Sequence, residues 1–145
     1  MRCLTGWLLD NLLALQQSNG QPLVRLYGPR TTDRRGGIVT FNFYDANGRA
    51  IDHRDVEARA AAANISLRTG CFCNPGGGEI ALGLTGTELS SCFKQAAHET
   101  HLTVDDFRMC IDGKSTGAVR VSLGLVSNLA DVTRFLEFAK GFIAA

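Results

Sequence analysis

Two cysteines one residue apart, Cys71 and Cys73, stand in the stretch Arg68-Thr69-Gly70-Cys71-Phe72-Cys73-Asn74-Pro75-Gly76-Gly77-Gly78-Glu79. Asn-Pro followed by three glycines predicts a loop, with a helix starting at Glu79. Arg68, Asn74 and Gly76 belong to that loop. A loop cysteine near an arginine and just ahead of a helix is placed to be a thiolate, the form that attacks sulfur and carbon centres. In an extended loop Cys71 and Cys73 point the same way and Phe72 the other, where it can anchor in the core. The opposing reading is a buried, inert cysteine, since free cysteine is among the most buried residue types. Two in a glycine-rich loop argue against that for at least one.

Three other groups bear on chemistry. His98 and His101, three apart on an expected helix, would make a two-cysteine, two-histidine set with Cys71 and Cys73. The single residue between the cysteines is shorter than zinc sites use, so no metal is expected. Arg120 lies in Ala118-Val119-Arg120-Val121-Ser122 and shares a face with Ser122, opposite Val119 and Val121. It is either a solvent-face residue or an anchor for an anion, and Gly117 and Gly124 would permit close approach by a ligand. Gly76-Gly77-Gly78 could cradle phosphate through its amides, but no Gly-Lys-Ser/Thr follows.

These groups sit in a chain of 145 residues, the length of one domain with its own core. The net charge of +1 makes no case for nucleic acid or membrane as a partner. The positive side is nearly all arginine, which suits bidentate recognition of carboxylate or phosphate but also follows from genome composition. Five cysteines, with no secretory signal and Asp10 interrupting the first apolar run, read as reduced thiols in the cytoplasm. No apolar stretch approaches a membrane span.

The elements follow from periodicity. Leu4, Leu8, Leu12 and Leu15, with Trp7 on the same face, predict a helix that ends before Asn19-Gly20 and Pro22. Leu23 to Tyr27 and Gly37 to Tyr44 read as strands, the second with Val39, Phe41 and Phe43 on one face. Asp52 caps a helix that turns Val56, Ala60 and Ala63 inward and closes at Asn64. Ile65 to Arg68 reads as a third strand, and Ala118 to Ser122 as the last. Thr87 to Ala97 and Thr103 to Met109 read as helices. Asn128 caps a final helix with Val132, Phe135, Leu136, Ala139, Phe142 and Ile143 in one stripe. The sum is an α+β domain: three or four largely antiparallel strands packed on helices.

Together these segments resemble the C-terminal small domain of class V aminotransferase-fold proteins. Those are pyridoxal-phosphate (PLP) enzymes of fold type I, and the likeness is closest to the cysteine desulfurase module of molybdenum cofactor sulfurases. It rests on Ser18-Asn19-Gly20, Tyr27-Gly28-Pro29, Arg35-Gly36-Gly37, Ser66 to Gly76 and Gly117 to Gly124. The resemblance implies that Cys73 accepts sulfur from cysteine as a persulfide, with Cys71 a second thiol, and that Arg120 grips the substrate α-carboxylate. A third cysteine of the sulfurases is replaced by Gly78. The family's large domain, with its PLP lysine, is missing, and Lys94, Lys114 and Lys140 stand in no similar context.

The resemblance therefore implies one small domain over 1–145, inactive alone, completed by a large PLP-binding domain in cis or in trans. No PLP is expected on this chain by itself. Two rival readings are a stand-alone interaction module, as a homo-oligomer, and a thiol sulfur carrier acting in trans.

Overall fold

The computed structural model describes residues 1–96, 103, 106, 110–111 and 114–144. Helix α1 spans Arg2–Leu13, strands β1 and β2 span Val24–Tyr27 and Ile38–Phe43, and helix α2 spans His53–Ala62. Strand β3 is Arg68–Gly70, helices α3 and α4 are Pro75–Leu82 and Gly86–Ala96, strand β4 is Ala118–Ser122 and helix α5 is Leu129–Lys140. The four strands form one antiparallel sheet in the order β1-β2-β4-β3. This is the α+β architecture expected from the sequence.

One face of the sheet is the core. Val39, Phe41, Phe43 and Val119 are fully buried there, with Leu8, Leu9 and Leu12 of α1 and Val132, Phe135, Leu136 and Ala139 of α5 packed in. The ring of Phe43 stacks on Phe142 at 4.4 Å, which draws the turn after α5 onto the sheet. Asp52 caps α2 by accepting from the Arg54 amide, and Asn64 ends the helix region at φ 54°. Asn128 and Asp131 form a reciprocal capping box on α5. Ile143 lies past the helix and stays 36% exposed.

Several expectations need correction. Helix α1 stops at Leu13, and Trp7 is on the exposed side; Leu9 completes the buried stripe in its place. The third strand begins at Arg68, where pairing with β4 begins, and not at Ile65. The glycine stretch is helix from Pro75, so the site residues placed in a loop stand elsewhere. Arg68 is in β3, Asn74 is the N-cap of α3, and Gly76 lies in its first turn. Asn74 accepts from the Gly77 amide, proline is favoured at the first helical position, and Gly83 at φ 70° closes the helix.

Nor are all five cysteines reduced. Cys92 of α4 and Cys110 are joined in a disulfide, their Cα atoms 5.7 Å apart. That distance is within bonding range. Thr103 and Asp106 bond reciprocally, as a cap at Thr103 requires. The rest of that expected helix, and His98 and His101, lie outside the described residues.

Candidate functional site

The second face of the sheet carries the candidate residues. Register places Arg68 of β3 opposite Arg120 of β4, and Arg120 opposite Thr40 of β2. Directly opposed residues of antiparallel strands project to one side. Arg68 and Arg120 are both exposed, and neither has a hydrogen bond or ion pair among the described residues. Val119 and Val121 point the other way, into the core. Arg120 is therefore a solvent-face arginine, as its alternation with the valines implied.

The cysteine segment leaves β3 at Gly70 and crosses this outer face. Phe72 meets the ring of Tyr27, in β1, edge-on at 5.8 Å and also lies against Gly78 of α3. Phe72 thus anchors the segment on the outer face and not in the main core. Cys71 and Cys73 on either side of it are free and exposed, and Cys73 immediately precedes the N-cap of α3. With Phe72 anchoring the segment, the thiols on either side of it stay exposed.

Supports for this arrangement were not apparent from the residue pattern. Asn42, fully buried on the same face, donates from Nδ2 to the Tyr27 hydroxyl at 3.1 Å and to the Gly117 carbonyl at 2.9 Å. Its Oδ1 has no partner among the described residues. Burial, and next its hydrogen bond with Tyr44, raises the pKa of Tyr27, so the ring that carries Phe72 stays protonated. The signal for Asn42 was its place in the outward register of a strand whose other face is fully apolar.

Gly117 also departs from expectation. A Cβ there would lie 2.7 Å from the Gly70 carbonyl and 2.9 Å from His53. The space left by the missing side chain is taken by the start of the cysteine segment, not left for a ligand. Around Gly124, by contrast, nothing lies within 4 Å of such an atom.

None of the three lysines stands on a strand. Lys114 Nζ donates to the Gly83 carbonyl at 2.8 Å and pairs with Glu88 at 2.6 Å, Lys140 pairs with Glu137, and Lys94 is exposed on α4. Among the described residues no cluster of histidine, cysteine and carboxylates is arranged to hold a metal, and no helix is long and apolar enough to cross a membrane.

Fold and site define a small antiparallel α+β domain with three exposed arginines on one sheet face and a segment bearing two exposed thiols after its edge strand. No family model matches the chain. Over 94% of its length it is 39% identical to a molybdenum cofactor sulfurase of Drosophila melanogaster. Over 97% it is 38% identical to one of Neosartorya fischeri and 37% to one of Aspergillus fumigatus. The chain spans 17% of the length of each of these curated relatives. It is homologous to one segment of the molybdenum cofactor sulfurases.

Proposed function

We propose that this chain is the small domain of a cysteine desulfurase of the molybdenum cofactor sulfurase kind. It contributes a sulfur-accepting thiol, Cys73, and a carboxylate-binding arginine, Arg120, to an enzyme completed by a large domain. The observation that carries this reading is the exposed Cys73 beside Phe72, which packs on the sheet face bearing an exposed Arg120 that has no partner among the described residues. A guanidinium so placed can hold a carboxylate through two parallel N–H bonds. Bound in the completing domain, PLP supplies the electron sink for cleaving the C–S bond of cysteine. Cys73 would take the sulfur: cysteine plus the Cys73 thiol gives alanine plus the Cys73 persulfide.

A completing domain also accounts for the apolar surface of the chain. Leu125 and Val126, in the turn between β4 and α5, are 97% and 93% exposed, and Leu129 and Ile38 are more than half exposed. Apolar residues gathered in this way are normally covered in an assembly.

The test is a chimera in which this chain replaces the matching segment of the Drosophila melanogaster protein. Incubated with cysteine, it should gain one sulfur on the tryptic peptide holding Cys73, and Cys73→Ser should abolish that gain. Arg120→Ala should raise the cysteine concentration required. A persulfide that stays in full after Cys73→Ser, or is carried by Cys71 alone, would overturn the assignment.

A further inference from the structure

We propose that Arg68 is a second carboxylate-binding residue, closing with Arg120 into a two-guanidinium clamp on a single carboxylate. The inference rests on the carboxylate role of Arg120 and extends it to a residue on the neighbouring strand. Arg68 and Arg120 are direct cross-strand partners, so their Cβ atoms are roughly 4.5–5.5 Å apart. Like charges directly opposite one another destabilise a sheet. Such pairs are ordinarily relieved by a nearby carboxylate, and none of the described residues supplies one to either guanidinium.

The face as a whole has the same bias. Arg25 of β1 also points outward, opposite Asn42, and no strand residue on this face is acidic. Three arginines thus lie on one sheet face of a chain whose net charge is only +1. Of the three, only Arg68 and Arg120 are direct neighbours. A carboxylate has about four lone-pair sites on two oxygens, enough to accept from both guanidiniums at once. The two strands also differ in their place in the sheet. Arg120 is held in β4 between β2 and β3, whereas Arg68 begins the short edge strand that runs into the cysteine segment. Arg120 is the fixed jaw, and Arg68 couples the same ligand to the strand that carries the thiols.

The experiment is a titration of the ¹⁵N-labelled chain with acetate against chloride at constant ionic strength, followed at the arginine Nε–H resonances. Arg68 and Arg120 should shift together with one dissociation constant. Arg68→Met should weaken acetate binding at Arg120 about tenfold, the size of one lost charge-assisted hydrogen bond. Arg25→Met, on the same face but outside the pair, should leave it unchanged. If only Arg120 responds, and Arg68→Met has no effect, the clamp is wrong while the single-arginine site stands. If Arg25→Met weakens binding as much as Arg68→Met, the effect is the summed charge of the face, and the clamp is wrong. If neither Arg68 nor Arg120 responds, the carboxylate reading of Arg120 falls with it.

Discussion

At Gly117 the start of the cysteine segment lies close against the sheet. A methyl group there meets the Gly70 backbone, which cannot move without disturbing the β3–β4 pairing, and the buried His53. Gly117→Ala should cost about 1–3 kcal/mol in urea unfolding, the usual range for overpacking. Arg120→Ala should behave differently. The side chain has no partner to lose and a like charge opposite, so stability should stay within about 0.5 kcal/mol of the parent. A large loss would identify Arg120 as a structural residue. At this scale the sequence was informative about exposure but not about company. Alternation with valines placed Arg120 outward, whereas its pairing with Arg68 joins strands far apart in sequence and is invisible to any local pattern.

The N-terminus of α4 carries a carboxylate with a strongly lowered pKa. Thr85 and Glu88 bond reciprocally as a capping box, and Glu88 also pairs with Lys114. The Lys114 hydrogen bond first, then those of Thr85, lowers the Glu88 pKa from 4.5 to about 2. A depressed carboxylate pKa contributes stability above the unfolded value, and that contribution is lost as pH falls through the folded one. The α4 amides, followed by hydrogen exchange, should therefore lose protection between about pH 4.5 and 2. Glu88→Gln should remove this pH dependence. The caps of α2 and α5 were legible, because Asp52 and Asn128 precede clear apolar stripes. Helix α3 was not. Three glycines argue against a helix at roughly 1 kcal/mol each relative to alanine, but first-turn amides need no intrahelical partner. Asn74 and Pro75 were enough to start it.

At the scale of the whole molecule, the Cys92–Cys110 disulfide ties α4 to the chain leading into β4, its ends 18 positions apart in sequence. Closing a loop across that separation of 18 positions, with 17 residues in between, stabilises by about 3 kcal/mol in the chain-entropy picture. Reduction should lower the unfolding free energy by up to that amount. Without reductant, iodoacetamide should modify Cys3, Cys71 and Cys73 and spare the bonded pair. Equal labelling of all five would contradict the bond. The core and the fold class were readable from apolar periodicity, since Val39, Phe41 and Phe43 need a partner layer wherever the helices fall. The bond was not, because nothing local to Cys92 or Cys110 records how the chain between them returns.

The strand order has a consequence for the chain during its synthesis. β4 sits between β2 and β3 yet is made after both, with α3 and α4 in between. As the chain leaves the ribosome, β1 and β2 can pair at once, but β3 has no neighbour until β4 emerges. At usual elongation rates that interval lasts roughly 2–10 s. Throughout it one edge of β2 is open, with Val39 and Phe41 uncovered, and unpaired edges of this kind recruit other chains. The nascent chain therefore carries an open sheet edge until the central strand slots into place.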